Sequence, residues 1–200
     1  GLKADVYDGG IRVPLIVSYP QGFPGKRELD DVVWFPDVLP TISQLVEAPL
    51  PNDRAYGGIS LLPLLQGGTL QTREQPMLWF FYRASPEIAM RHGDYILTAR
   101  SNDSTPRTHE MSDIDMPFIE SFSPEFFELY NAAKDPRQQH DLASRYPEKL
   151  GEMKAQYQAL FKASQKDSVV WENLPAYDPK RANHKKPAEF LKNQERFLEN

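Results

Sequence analysis

The feature that most limits the fold is a series of short apolar segments, separated by turn residues, in the middle of the chain. Met77 to Tyr82 reads Met-Leu-Trp-Phe-Phe-Tyr, and aromatic runs of this length are typical of strands. Ile88 to Arg91 and Tyr95 to Arg100 flank the turn sequence His92-Gly93-Asp94 and predict a hairpin. Phe126 to Tyr130 predicts a further strand. Because parallel neighbours need a long crossover, these segments predict a small antiparallel sheet.

A longer amphipathic segment follows the strands, from Pro147 to Ser164. Its large apolar side chains recur at helical spacing and fall on one face: Leu150, Met153, Tyr157, Leu160 and Phe161. Lysine and glutamate side chains occupy outer positions of the same segment. We therefore expect a helix that packs its apolar face on one side of the sheet.

The residues before the sheet have the pattern of the end of an α/β layer. Leu15 to Tyr19 is a mainly apolar run after Pro14 and predicts a buried strand. An apolar pattern at helical spacing predicts a helix from about Pro36 or Pro40 to Glu47, since proline is tolerated near a helix start. If the neighbours of that strand lie outside these residues, we expect exposed apolar surface and self-association.

Composition excludes several function classes. The 200 residues carry a formal net charge of −5, which gives no bulk attraction to nucleic acid. Cysteine is absent, so disulfides, thiolate nucleophiles and thiolate metal sites are excluded. No apolar run approaches the ~18 residues that span a bilayer, and neither His-Glu-x-x-His nor Gly-x-Ser-x-Gly occurs. We expect no nucleic-acid partner and no membrane partner.

The first fourteen residues contain the candidate site. Lys3 lies in a segment without helical or strand periodicity. Gly9-Gly10 follows it, a pair that allows positive φ or close approach of another group. A lysine ammonium is a compact charge with three donors, which suits a tetrahedral oxyanion. From the residues alone, Lys3 is either an oxyanion ligand or a solvated surface lysine.

Three blocks of the sequence resemble blocks of the formylglycine-dependent sulfatases. Residues 3–14 are similar to the family's Lys-x3-Tyr-Glu-Gly-Gly-x-Arg-x-Pro. Residues 127–143 are similar to Phe-x-Leu-Tyr-(Asp/Asn)-x3-Asp-Pro-x-Glu-x-x-Asn-Leu-Ala, and residues 37–65 to Asp-x-x-Pro-Thr followed by Asp-Gly-x-Ser-Leu-Leu-Pro-x-Leu. The chain departs from the family pattern at a few positions: Asp8 for Glu, Gly57 for Asp, Gln138 or Gln139 for Glu, and Asp141 for Asn.

The resemblance implies a fragment of an alkaline-phosphatase-like α/β domain followed by an α+β C-terminal subdomain. Residues 1–72 would end the α/β domain, 73–165 would form a subdomain with a small antiparallel sheet and a packed helix, and 166–200 would be a charged tail. The parent protein would hydrolyse sulfate esters, and Lys3 would bind the sulfate group. The resemblance also implies a periplasmic or secreted protein.

The same resemblance implies that most of the catalytic machinery lies upstream. Sulfatases convert a Cys or Ser in (Cys/Ser)-x-Pro-x-Arg to formylglycine, and no such run occurs here. The calcium ligands would also precede this stretch. We therefore expect calcium and formylglycine in the parent protein, no metal site in these residues, and no activity from this stretch alone.

The polar loop from Ser101 to Ser123 is longer than a hairpin loop needs. Arg107 and His109 within it are candidates for the wall of a substrate pocket, because long loops often carry function. The alternative is a surface insertion without a site. The resemblance implies a sulfated small molecule or glycan as substrate, and the missing N-terminal part of the same protein as a partner.

Two other functions remain open from the sequence. One is hydrolysis of phosphate esters or phosphonates by a relative in the same superfamily, which the upstream nucleophile and metals would distinguish. The other is a non-catalytic folded interaction module.

Overall fold

The structure is built around one antiparallel sheet with a long helix packed on it. A computed structural model describes residues 5–81, 86–101 and 116–167. The helices and strands in chain order are α1 (Asp8–Ile11), α2 (Val38–Leu45), α3 (Leu62–Leu65), β1 (Met77–Phe81), β2 (Glu87–His92), β3 (Tyr95–Arg100), α4 (Met116–Ser121), β4 (Phe126–Asn131) and α5 (Pro147–Lys166). A single 3-10 turn, Phe35–Asp37, leads directly into α2.

The four strands of the described residues lie in the order β1-β2-β3-β4, and every neighbouring pair is antiparallel. This confirms the predicted sheet. β2 and β3 form a hairpin whose last pair is His92 and Tyr95, so the turn contains only Gly93 and Asp94. Gly93 has φ +59°, which glycine adopts without steric cost. His92, expected in the turn, is therefore a strand residue, and its Nδ1 lies 2.9 Å from Oε1 of Gln156.

Helix α5 covers one face of the sheet, as the sequence predicted. Strand side chains alternate between the two faces, so every second residue of each strand meets the apolar side of the helix. The buried members of this core are Ile88, Met90, Leu97, Ala99, Phe122, Leu129, Met153, Tyr157 and Phe161. The rings of Tyr157 and Phe161 stack along the helix with centroids 5.4 Å apart. The core therefore lies between α5 and the sheet.

The predicted helix after Pro36 is present, and the buried carboxylate of Asp37 anchors its start. Asp37 is 0% exposed, and its Oδ2 accepts a hydrogen bond from the Trp34 N–H at 2.7 Å. Oδ1 accepts the Ile59 N–H at 2.9 Å, and Arg73 Nη2 lies 2.7 Å from Oδ2. A buried carboxylate is tolerated only when it is paired and hydrogen-bonded, and both conditions hold here. Asp37 thus joins the start of α2 to the segments around residues 59 and 73.

Thr41 and Gly58 complete the same junction. The Thr41 hydroxyl donates to the Asp37 carbonyl at 2.6 Å and accepts the Leu61 N–H at 2.8 Å. A Cβ on Gly58 would lie 2.1 Å from the Pro36 carbonyl oxygen, so only glycine fits that approach. The Asp-x-x-Pro-Thr block is therefore a packing junction between two chain segments.

The predicted strand over Leu15 to Tyr19 is wrong. The structure has no strand between residues 5 and 72, and Ile16 is 91% exposed. An apolar run forms a buried strand only where another strand supplies its hydrogen-bond partners, and no described residue pairs with this run. The region predicted to end an α/β layer therefore contains helices α1 to α3 and no strand among its described residues. The small antiparallel sheet and its packed helix agree with the prediction.

The exposed apolar surface that we predicted is present in the same region. Large apolar side chains that are more than one-third exposed include Val13, Leu15, Ile16, Val17, Phe35, Leu39, Ile42 and Val46. Self-association through this surface stays a prediction.

Several predictions fall outside the described residues. These are the tail from residue 168 onwards and most of the polar loop, residues 102–115. The end of that loop forms α4, which the sequence did not predict, and Phe122 after it belongs to the core. No helix among the described residues combines the length and apolar character needed to cross a bilayer. The division into 1–72, 73–165 and 166–200 stays a prediction.

Candidate functional site

The segment that follows Lys3 lies against the sheet face opposite α5. Val6 is only 2% exposed, and the Tyr7 hydroxyl donates a hydrogen bond to Oε2 of Glu128 on β4. Residues 6, 7, 87, 98–100, 126 and 128 line one small cavity where this segment meets the sheet. The chain thus brings its start and its last strand together across 121 residues.

Glu128 is the centre of a polar cluster on this face, which we call the Glu128 cluster: Tyr7, Thr98, Arg100, Glu128 and Tyr130. Thr98 is the direct cross-strand neighbour of Glu128, and its hydroxyl donates to Oε2 at 3.1 Å. Arg100 Nη2 lies 3.5 Å from Oε1, and the rings of Tyr7 and Tyr130 meet edge to face at 6.1 Å. The carboxylate therefore has partners at both oxygens.

Burial and the Glu128 charge act in the same direction on the two phenols. Burial raises the pKa of Tyr7 to about 12, with further contributions from the hydrogen bond to Glu128 and from its charge. Burial also raises the pKa of Tyr130, and the Glu128 charge adds to that shift. Both hydroxyls therefore stay protonated at neutral pH, and Tyr7 keeps its proton to donate to Glu128.

A second carboxylate, that of Glu87, lies beside the cluster. Burial raises the pKa of Glu87, and the negative charge of Asp5 raises it further. A hydrogen bond from the Val6 backbone and the positive charge of Arg100 offset part of this rise in pKa, while the Glu128 charge adds to it. This face of the sheet thus places two carboxylates, Glu87 and Glu128, near Arg100, the one cation of the cluster.

A second hydrogen bond, at Asp8, attaches the segment after Lys3 to the loop that follows β4. The Asp8 N–H donates to Oε1 of Gln138 at 2.7 Å. Gln138 is 8% exposed and adopts a left-handed φ of +51°. Its Nε2 is buried and has no hydrogen-bond partner among the described residues. Gln138 is one of the two positions proposed to replace the sulfatase Glu, and the structure shows that it is the one that contacts the Lys3 segment.

The Gly9-Gly10 pair does not adopt the positive φ that was one of its two predicted uses, and the close approach of another group stays a prediction. The Tyr7 N–H donates to Oδ1 of Asp5 at 2.9 Å, and the chain then turns into α1. The Gly10 N–H donates to the Tyr7 carbonyl at 2.7 Å, which closes that turn. Neither glycine has a positive φ, so the pair forms a helical turn and not a left-handed loop.

The cleft beside α1 carries charges of both signs. Its volume is about 380 Å³, and its lining includes Asp8, Arg12, Asp30, Arg91 and the indole of Trp79. Burial lowers the pKa of Arg91, while Asp8 and Asp94 act against that shift. Because two acidic side chains accompany the two arginines, the lining itself has no clear preference for an anion.

The predicted site residues Lys3, Arg107 and His109 lie outside the described residues. Their roles therefore stay predictions. The sequence reasoning missed Glu128 as the partner of Tyr7. Strand alternation could have indicated it, because Leu129 is a core residue and its neighbour must point to the other face.

A metal site can also be tested on the described residues. Among residues 5–81, 86–101 and 116–167, no group of three or more His, Cys, Asp or Glu side chains could hold a metal ion. The single carboxylate of the Glu128 cluster is paired with two hydroxyls and a guanidinium instead. These residues do not fit calcium.

Comparison with known proteins assigns this chain to a family. The model for the C-terminal domain of N-sulphoglucosamine sulphohydrolase matches residues 3–166. Human arylsulfatase A is 32% identical over 168 residues, which are 76% of this chain and 31% of that protein. Human steryl-sulfatase is 42% identical over 67 residues, 34% of this chain and 12% of that protein. The chain thus spans less than a third of either relative.

Solved structures show weaker likeness. A 2-O GAG sulfatase has a TM-score of 0.44 at 24% identity, covering 74% of this chain and 28% of that one. The phosphonate monoester hydrolase of Agrobacterium radiobacter has a TM-score of 0.40 at 18% identity, covering 64% and 24%. Scores this low do not separate the two activities. The match over residues 3–166 decides the assignment: the chain belongs to the N-sulphoglucosamine sulphohydrolase C-terminal family and is a sulfatase C-terminal portion.

Proposed function

We propose that this chain is the C-terminal part of an enzyme that hydrolyses sulfate esters, and that Lys3 binds the sulfate group. The observation that supports this most is the attachment of the Lys3 motif to the sheet, through Tyr7 to Glu128 and through Asp8 to Gln138. A solvated surface lysine does not need a fixed backbone. A lysine that binds a small anion needs one, because its ammonium group has to lie within hydrogen-bond distance of defined oxygens.

Lys3 would stabilise charge on the sulfate oxygens during cleavage of the ester bond. Sulfate presents several charged oxygens close together, so cations at fixed positions lower the barrier to nucleophilic attack. A lysine ammonium suits this role, since it is compact and has three donors. Arg107 and His109 would line the substrate pocket, and a sulfated small molecule or glycan would occupy it.

The rest of the reaction would depend on the remainder of the parent protein. The proposal assigns the formylglycine nucleophile and the calcium ligands to residues outside this stretch. Residues 1–72 would then pack against the rest of an alkaline-phosphatase-like α/β domain, which would cover their exposed apolar side chains. The 200-residue chain alone would release no sulfate from an aryl sulfate.

The direct test replaces Lys3 in the full-length parent protein and measures sulfate release from an aryl sulfate. We expect Lys3→Ala to lower kcat/KM by about 100- to 1,000-fold, the usual effect of removing one donor to a developing oxyanion. Lys134→Ala, which removes an exposed lysine in the turn after β4, is the matched control. Unchanged kinetics in Lys3→Ala, with an unchanged melting temperature, would reject the role.

A further inference from the structure

We propose that Tyr7, Glu128 and Gln138 are positioning residues for Lys3: the C-terminal sheet holds the main chain that carries this lysine. The inference rests on the proposed sulfatase function and deepens it. None of the three side chains needs to touch the substrate. Their role is to fix the backbone at residues 7 and 8, four and five residues after Lys3.

The acceptors of both hydrogen bonds, Glu128 and Gln138, belong to one connected part of the fold. The Leu129 N–H donates to Oδ1 of Asp141 at 2.9 Å, and the Leu142 N–H donates to the Leu129 carbonyl at 2.7 Å. The loop after β4 is therefore pinned along the free edge of that strand. Gln138 lies in this loop and Glu128 lies in this strand, so the two attachment points cannot move independently.

The loop itself is also fixed from within. Oδ2 of Asp135 accepts the Gln139 and His140 N–H groups, each at 2.8 Å. These two hydrogen bonds lower the pKa of Asp135, against the effect of its partial desolvation. The left-handed residue Gln138 is thereby held in place, and its buried amide points at the Asp8 backbone.

Only three residues separate Lys3 from Tyr7 in the sequence. Lys3 lies four residues before Tyr7, so their Cα atoms cannot be more than about 14 Å apart. Two attachment points at residues 7 and 8 also fix the direction of the chain, which one point would not do. A displacement of about 1 Å at a catalytic group can lower the rate by about 100-fold.

The Tyr7 hydroxyl donates to an acceptor that is itself held in place. Glu128 also has partners in Thr98 and Arg100, so its carboxylate is held in one orientation. The charges that act on Tyr7 are those of Glu128 and Arg100, Glu87 lines the same cavity, and the Tyr130 ring lies edge-on to Tyr7. A protonated phenol can donate to Glu128 without adding a further negative charge to this surface.

A double-mutant cycle in the full-length parent protein tests the proposal. With an aryl sulfate as the probe, we expect Tyr7→Phe to lower kcat about 10-fold with little change in KM. In the Lys3→Ala background the same change should have less than a 2-fold effect, since the residue acts through Lys3. Tyr95→Phe is the matched control, because it removes a hydroxyl from the opposite face of the same sheet.

Glu128→Gln and Glu128→Leu extend the cycle. Glutamine keeps an acceptor for Tyr7 and should retain most of kcat, while leucine should behave like Tyr7→Phe. A purely structural role predicts multiplied effects in both backgrounds and equal loss for Tyr95→Phe. Either result would overturn the proposal.

Amide hydrogen exchange of the 200-residue chain separates this inference from the proposed function. We expect Gln138→Ala to speed exchange of the Asp8 amide by about 10-fold, and Tyr7→Phe to speed exchange of residues 6–8. Unchanged exchange would overturn the attachment, whatever the kinetics. If the wild-type parent releases no sulfate, the proposed function fails and the positioning of Lys3 fails with it, while changed exchange would still establish the attachment.

Discussion

The two halves of this molecule bury their apolar side chains to very different extents. In the sheet half, Leu97 is 1% exposed and Leu129 is 0% exposed beneath α5. In the half before it, Ile16 is 91% exposed and Val13 is 76% exposed. The sheet half contains both the sheet and the helix α5 that enclose its core, whereas the described residues before it leave Val13 and Ile16 largely in solvent. Apolar periodicity therefore predicts structure only where the chain also supplies the surface that covers it.

Aromatic and polar contacts join the two halves. The rings of Trp34 and Trp79 meet edge to face with centroids 5.8 Å apart. Tyr7 and Asp8 contact the sheet through the two hydrogen bonds already described. Before the sheet, the buried Asp37 junction links separate chain segments, whereas the core of the sheet half is continuous. Five predictions test that difference.

The largest effect should come from the Asp37 junction. Asp37→Ala leaves Arg73, whose side chain is only 11% exposed, without its partner and removes the acceptor of two backbone N–H groups. We expect a loss of about 3–5 kcal/mol in the free energy of opening around residues 34–61, because an uncompensated buried charge remains. Hydrogen exchange of the Ile59 and Leu61 amides measures this loss. Exchange in Asp37→Ala that is equal to or slower than in the wild type would show that packing, and not the Asp37 junction, stabilises the half before the sheet.

A core truncation in the sheet half should have the next largest effect. Leu129→Ala opens a cavity in the core and should lower the free energy of unfolding by about 2–5 kcal/mol. Urea denaturation followed by circular dichroism measures this loss. A loss below about 1 kcal/mol would mean that α5 does not close the core in solution.

The attachment of Tyr7 should give a pH-dependent contribution of the order of 1 kcal/mol, since the phenol is partly solvated. Its pKa is raised in the folded chain to about 12 from an ordinary value near 10. The folded state therefore prefers the protonated phenol, so this stability is fully present below pH ~10 and is lost as the pH rises towards about 12. The difference in unfolding free energy between the wild type and Tyr7→Phe should narrow over that range. A difference that is independent of pH would contradict the hydrogen bond.

Glu87→Gln should stabilise the chain slightly at neutral pH. The pKa of Glu87 is raised by burial and then by Asp5, so the folded state prefers the protonated form and loses stability as the pH rises through the titration of this carboxyl. Glutamine removes the charge and keeps an acceptor for the Val6 backbone. We expect a gain of at most about 1 kcal/mol at pH 7 and none below pH ~4, measured by thermal unfolding. A loss at pH 7 would show that the charge itself is needed there.

The smallest effect on stability should come from the exposed run. Ile16→Lys should change the free energy of unfolding by less than about 0.5 kcal/mol, because the side chain is already in solvent. It should weaken self-association of the 200-residue chain several-fold, as measured by sedimentation velocity, since it places a charge on the apolar surface. Unaltered association would show that another surface mediates it.

The sequence predicted the four strands and α5 of the sheet half within one or two residues, but it did not predict α4. Tight turns, aromatic strands and an amphipathic helix are local signals that agree with one another there. That the Lys-x3-Tyr block is part of a sulfatase-like site stays a prediction, because Lys3 lies outside the described residues. The predicted strand over Leu15 to Tyr19 is wrong, since no described strand pairs with it.

Local spacing determined the four strands and the helices α2 and α5, and it determined which motif resembles a sulfatase. Only the tertiary structure decided that Tyr7 donates to Glu128 and that Gln138 accepts the Asp8 amide. These contacts join residues more than 100 positions apart. Periodicity describes one face of one element at a time, and no local pattern encodes which distant face will lie against it.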